Sequence, residues 1–257
     1  MMRLGAAPSS VMFSWMPRAL AAILDAWALL LPVECAGCGA DDRGLCSACA
    51  AELHPSPTLR ATAGGLEVVT ALRYEGRVRR VILAIKEHHR TDVAAALSRP
   101  LAVAVQQSLA AAHRRQPGTR VEIAAVPTSR SSYRRRGYDP VVVVLAHTGY
   151  RPAVVLVTMR RTASQKSLDS AGRAYNLRGA MVARRLLAGR IFVIVDDVLT
   201  TGATMDEAAR AIRAAGGEVA GAATIAFTPR LFAVRDNPSR RDYGGAKGAE
   251  QEPPGFD

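Results

Sequence analysis

Residues 191–204 read Ile-Phe-Val-Ile-Val-Asp-Asp-Val-Leu-Thr-Thr-Gly-Ala-Thr, and this run limits the fold more tightly than any other part of the chain. The apolar stretch 191–195 reads as a strand buried inside a sheet that is covered on both faces. It carries two carboxylates, Asp196 and Asp197, rigidly to the sheet edge. Behind them, Thr200, Thr201, Gly202, Ala203 and Thr204 bring hydroxyls and backbone N–H groups to the start of a helix expected over 203–215. A helix N-terminus carries about half a positive charge, and its free N–H groups make it an anion site. Gly202 lets the backbone approach an anion closely. An anion nest beside two carboxylates fits a ligand with a phosphate at one end and vicinal hydroxyls nearby. A plain strand end with a threonine helix cap is the alternative. No lysine follows a glycine as in a Walker loop, and no G-x-G-x-x-G is present, so neither nucleotide fingerprint applies.

The surrounding pattern agrees. Residues 66–74 have strand character, and Val78, Val81, Ile82 and Ile85 recur at helical spacing up to the polar cluster Lys86-Glu87-His88-His89. A long helix is expected over 91–114, with a possible break at Pro100. A strand at 121–126 is followed by a basic loop and a helix near 138–147. Further strands are expected at 153–157 and 219–227. Strands alternating with helices give an α/β fold, a mostly parallel twisted sheet flanked by helices, with ligands at the carboxyl ends of its strands. His88 and His89 read as a solvated helix end rather than metal ligands.

All four cysteines lie within fifteen residues, Cys35, Cys38, Cys46 and Cys49, in the pattern C-x2-C-x7-C-x2-C. Two such knuckles can present four thiolates tetrahedrally to Zn²⁺. Disulfides are the alternative, although two-residue spacing strains a bridge within a knuckle. With four protein ligands no coordination position stays open, so the metal is expected to be structural. A short helix at 47–53 ends this module, and Pro55, Pro57 and Gly64-Gly65 mark a linker.

These readings divide the chain into an N-terminal extension (1–28), a zinc-knuckle module (29–58), an α/β domain (66–230) and a disordered tail (236–257). The apolar segment 19–33 is interrupted by Asp25 and is too short for a comfortable membrane span. Arg3 and Arg18 precede it, but no small-x-small cleavage site separates it from Cys35, so an amphipathic or buried helix over 15–31 is expected. The protein is placed in the cytoplasm, without a membrane. The net charge of +12 comes largely from arginine groups such as Arg134-Arg135-Arg136, Arg160-Arg161, Arg184-Arg185 and Arg240-Arg241. Arginine's planar fork suits phosphate, so a small polyphosphate or a nucleic acid is an expected partner.

The 195–204 segment resembles the phosphoribosyl pyrophosphate (PRPP) motif of type I phosphoribosyltransferases. The Leu29-Leu-Leu-Pro-x-x-Cys35 leader, Tyr74-x-Gly76…Lys86, Val126-Pro127…Arg136-Gly137-Tyr138, and Arg161…Gln165…Arg173…Asn176 narrow the resemblance to the ComF/GntX family. The likeness covers about residues 29–230 and implies the type I phosphoribosyltransferase fold behind a zinc module. It implies that Asp196 and Asp197 bind the ribose hydroxyls or a ribose-bound Mg²⁺, and steady charge at the anomeric carbon. Thr200, Thr201, Gly202, Ala203 and Thr204 would hold the 5′-phosphate. The loop 127–136 would meet Mg²⁺-pyrophosphate, with Ser129, Arg130 and Arg136 as donors. Arg161, Gln165, Lys166, Arg173 and Asn176 lie in a long polar stretch expected to close as a lid, or else to form a docking surface. Asp139-Pro140 departs from the family's usual Asn-Gln. The reaction implied is transfer of phosphoribosyl to a base or amine. The alternative is a non-catalytic accessory protein of DNA uptake that binds nucleotide or single-stranded DNA; aromatic residues form only 5% of the chain, few for a base-stacking platform.

Overall fold

A computed structural model describes residues 33–41, 43–159 and 179–229. The helix expected at 15–31, the tail from 236, and Arg161, Gln165, Lys166, Arg173 and Asn176 lie outside the described residues. Among those residues no helix is long and apolar enough to cross a membrane.

The described chain runs α1 (Ser47–Ala51), β1 (Thr58–Ala61), β2 (Glu67–Arg73), α2 (Gly76–Glu87), a 3-10 turn (Thr91–Val93), α3 (Ala94–Arg115), β3 (Val121–Ala125), α4 (Arg130–Arg136), α5 (Pro140–Ala146), β4 (Leu156–Thr158), β5 (Met181–Ala183), β6 (Ile191–Leu199), α6 (Ala203–Ala214) and β7 (Glu218–Phe227). Five strands form one sheet in the order β1-β2-β7-β6-β3. All neighbours are parallel except β1, which returns antiparallel on β2. The parallel sheet flanked by helices matches the expected class.

β6 lies between β7 and the edge strand β3, and its residues alternate between two cores. Val193 and Val195 join α2, α3 and α5 on one face, whereas Phe192 and Ile194 join α6 on the other. Burial on both faces is why this strand is apolar without interruption. β6 also runs further than the sequence pattern implied, through Leu199, so Asp196 and Asp197 stand inside the strand. β7 accompanies it along this extension, pairing Asp196 with Thr224 and Leu199 with Phe227. β3 does not: its ladder ends at Ala125 opposite Val195. β6 therefore projects past β3, and a notch opens beside the two acids at the carboxyl edge.

Three expectations are corrected. The strand read at 153–157 is instead Leu156–Thr158, and it pairs antiparallel with β5 in a separate two-stranded sheet. Ala153 donates one bond to Ile123, 2.7 Å, but the Val155 N–H turns back to the Ala153 carbonyl, so the ladder beside β3 cannot continue. The basic loop after β3 contains a seven-residue helix, α4, capped by Ser129, whose hydroxyl accepts from the Ser132 N–H. No residue of α4 is buried, so it has no apolar stripe to read. Finally, α3 runs unbroken through Pro100, which sits buried in its second turn.

Candidate functional site

The two acids are neighbours under different constraints. Asp197 receives Lys86 Nζ from the last turn of α2, 3.0 Å to Oδ2 and 3.1 Å to Oδ1. Burial works to lower the Lys86 ammonium, but the Asp197 carboxylate outweighs it and raises it above the ordinary lysine range. Asp196 accepts the Asp197 N–H through Oδ1 at 2.8 Å. Burial, and then the charge of Asp197, push its carboxyl up to about 8.

The turn after β6 is built for an anion. The N–H groups of Thr200, Thr201 and Gly202 donate to no acceptor among the described residues. Thr200 and Thr201 are exposed, while Gly202 is buried at φ +79° as the residue before α6. A Cβ on Gly202 would meet Thr62 Cγ2 at 2.6 Å, so the close approach as well as the φ calls for glycine. Thr62 belongs to the turn between β1 and β2. Its hydroxyl donates to Asp206 Oδ1 and accepts the Leu66 N–H at 3.1 Å, and the Gly64 N–H reaches Asp206 Oδ2 at 3.0 Å. The far side of the anion turn is thus clamped to another part of the sheet, and its open side faces out.

Of the residues expected to meet pyrophosphate, Ser129 caps α4 and Arg130 faces a cavity beyond β3. Arg136 donates Nη1 to the Lys86 carbonyl at 2.9 Å, and the Tyr138 hydroxyl donates to the Ile85 carbonyl at 2.7 Å. The Arg136-Gly137-Tyr138 segment therefore satisfies the free carbonyls at the end of α2 and steadies Lys86. Asp139-Pro140 has a local explanation. Asp139 Oδ1 accepts from Val141 and Val142 at the start of α5, with Pro140 at its first position, and Oδ2 accepts the Thr128 N–H at 3.0 Å. It fastens the turn after β3 to α5. Lys86, Thr62 and Asp206 were not singled out as site residues from sequence.

In the cysteine module the four Sγ atoms lie within 4.8 Å of one another, and none is in a disulfide. Cys38 and Cys46 Sγ are 3.7 Å apart. Four sulfurs at about 2.3 Å from one zinc ion stand about 3.8 Å apart, so the residues fit a tetrahedral metal. A Cβ on Gly37 would meet Cys49 Sγ at 2.5 Å, which keeps this position free of a side chain. Burial works to raise the Cys35 thiol, but N–H groups of Cys46, Cys38 and Gly37 outweigh it and bring it down to about 6. Burial raises Cys49 strongly. The module is strapped to α2 and the segment after it. Arg80 donates to the Gly37 carbonyl, and Arg90 donates to the carbonyls of Glu34 (2.9 Å) and Gly44 (3.0 Å) while holding Asp92.

A profile of phosphoribosyl transferase domains matches residues 93–242. DNA utilization protein YhgH of Escherichia coli (strain K12) is 32% identical over 151 residues, covering 56% of this chain and 64% of its own. The Salmonella typhimurium (strain LT2) protein of the same name is 35% identical over 133 residues, 49% of this chain and 56% of its own. The chain spans less than two thirds of these relatives. Among solved structures, Mycobacterium tuberculosis H37Rv orotate phosphoribosyltransferase covers 70% of this chain and 81% of its own at 18% identity, with a TM-score of 0.30. The profile and the relatives bear out the resemblance carried by the motifs.

Proposed function

Because the chain belongs to the phosphoribosyl transferase domain family, we propose that its carboxyl-edge notch binds PRPP with Mg²⁺ and that the protein transfers the phosphoribosyl group to a base or amine. One observation carries the reading: the acid pair projects past β3 directly before three N–H groups at the start of α6 that have no acceptor among the described residues. Thr200, Thr201 and Gly202 would hold the 5′-phosphate through those N–H groups, with Ala203 and Thr204 completing the first turn of α6. Asp196 and Asp197 would take the 2′- and 3′-hydroxyls. The Asp197 carboxylate would stabilise the positive character that develops at the anomeric carbon, and Asp196, held largely protonated by burial, would act as a hydrogen-bond partner of the sugar. Lys86 would yield part of Asp197 to the sugar. Oxygen-only donors at this edge fit a hard cation. Mg²⁺ arriving with the pyrophosphate supplies neutralisation of the leaving group. Ser129 and Arg130 remain the donors assigned to that end, whereas Arg136 acts through Lys86. Lid closure by Arg161, Gln165, Arg173 and Asn176 belongs to the same reading, as does a division into a zinc module (29–58) and a transferase-like domain (66–230).

Calorimetric titration with Mg²⁺-PRPP tests the site. Wild type binds, and the double variant Asp196→Asn, Asp197→Asn does not; equal binding by both removes it. Similarity to proteins named for DNA utilization favours a second reading, a non-catalytic role in DNA uptake with single-stranded DNA as the partner. Pyrophosphate release with a panel of bases, without salt-dependent DNA binding, supports the transferase. A steep salt slope without release supports the accessory role.

A further inference from the structure

Outside β3, the carboxyl edge opens into a cavity of about 320 Å³, a size suited to a small ligand. Three large apolar side chains that line it are exposed: Val154 (71%), Tyr133 (52%) and Val142 (42%). Exposed apolar residues scattered singly carry no meaning, but three facing one concavity mark a binding surface. Its charged groups are unequal. Asp139 is already engaged by the N–H groups of Thr128, Val141 and Val142. Arg130 and Arg184 also line the cavity, and neither guanidinium has a hydrogen-bond or ion-pair partner among the described residues. The backbone of Arg184 is fixed by its N–H bond to the Val155 carbonyl, 2.8 Å.

We propose that this cavity binds a planar aromatic acid, with its ring against Tyr133, Val142 and Val154 and its carboxylate on Arg184, and that this acid is the phosphoribosyl acceptor. The second clause rests on the PRPP reading above. Apolar walls serve no purpose for a bare phosphate, and with Arg130 turned to the pyrophosphate an uncharged ring leaves Arg184 without a partner. A guanidinium fork pairs bidentately with a carboxylate, and an aromatic face accepts a stacked ring. The cavity lies next to the acids: the Val126 N–H on its floor donates to the Val195 carbonyl, 2.9 Å, one residue short of Asp196. The transfer requires the acid to carry a nitrogen, in its ring or as an amino group, whose lone pair forms the bond to C1 of the ribose. The C1–O bond breaks with its electron pair going to pyrophosphate, and the proton displaced from nitrogen leaves to pyrophosphate or water.

The test uses the full chain and benzoate as probe, followed by calorimetry, with benzamide, inorganic pyrophosphate and a single-stranded oligothymidylate as the other arms. Benzoate binds saturably, benzamide binds at least roughly tenfold more weakly, and Arg184→Gln and Tyr133→Ala each weaken benzoate by a similar factor. Both side chains are on the surface of the cavity, so unchanged melting curves show that the variants fold. No benzoate binding, or equal binding by Arg184→Gln, overturns the proposal. Displacement of benzoate by pyrophosphate or by the oligonucleotide also overturns it, and assigns the cavity to phosphate or to nucleic acid. Titration with Mg²⁺-PRPP separates the two claims. PRPP binding without benzoate binding sinks the cavity alone, and benzoate binding without PRPP binding sinks the acceptor assignment together with the PRPP site.

Discussion

Asp196 and Asp197 differ by one position and by the company each keeps, and that difference is measurable. The carboxyl of Asp196 is raised to about 8 by burial and by its neighbour's charge, so the folded state holds a proton there that an unfolded chain releases near 4. Between those values the native state binds more protons, and stability falls as pH rises through the window. Asp196→Asn removes that penalty. Its melting temperature should exceed wild type by a few degrees at pH 9 and equal it at pH 4, by calorimetry; an offset independent of pH would show that burial does not act on this carboxyl. Lys86 is the complementary case. Lys86→Met strips Asp197, only 16% exposed, of its counter-ion, and should destabilise the fold by about 1–3 kcal/mol in denaturant titrations. The acids were legible because a strand, two carboxylates and a glycine turn sit together in sequence. Their lysine lies 111 residues away, and only the packing of α2 on the sheet brings it to Asp197.

The anion turn owes its shape to an element the sequence did not mark. In sequence β1 reads as linker, because four residues between prolines and glycines carry little pattern, yet the turn that follows it supplies Thr62 and Gly64 to Asp206. Thr62→Val keeps the wall against Gly202 but leaves the Leu66 N–H and Oδ1 of Asp206 without a partner, with only the Gly64 N–H still on Oδ2. It should lower stability by about 1–3 kcal/mol and weaken Mg²⁺-PRPP binding, read in the same titration; unchanged affinity would make the clamp merely structural. Gly202→Ala is harsher. A left-handed alanine costs about 1–2 kcal/mol, and its methyl collides with Thr62, so binding should vanish even at low temperature where the variant is folded. α4 shows the opposite limit of legibility. Its Arg-Ser-Ser-Tyr-Arg-Arg-Arg sequence carries Tyr133 as its one aromatic and is otherwise polar, with no buried face to mark it, and the pattern offers Ser129 at its start only as a phosphate donor. Asp139-Pro140, in contrast, spells a helix cap and first turn in the letters alone.

On the scale of the molecule, the cysteine module and the sheet edge meet on one helix. Arg80 from α2 holds the Gly37 carbonyl, and Arg90 just beyond α2 holds Glu34 and Gly44. Lys86, between them, holds Asp197. A knuckle this small has almost no apolar core; Cys35, Cys49 and Leu53 are the only apolar side chains buried in its described part, so a metal held by the four thiolates would supply most of its folding energy. Loss of the ion should release Arg80 and Arg90 from ordered carbonyls and loosen the last turn of α2 that carries Lys86. Treatment with a zinc chelator, or Cys46→Ser, should lower the melting temperature and speed amide exchange over residues 80–92, while β6 and β7 keep their protection. Exchange that rises only within 35–52 would mean that the module is a detachable ornament. A rise that reaches α2 would mean that the metal steadies the acid pair from the opposite end of the same helix.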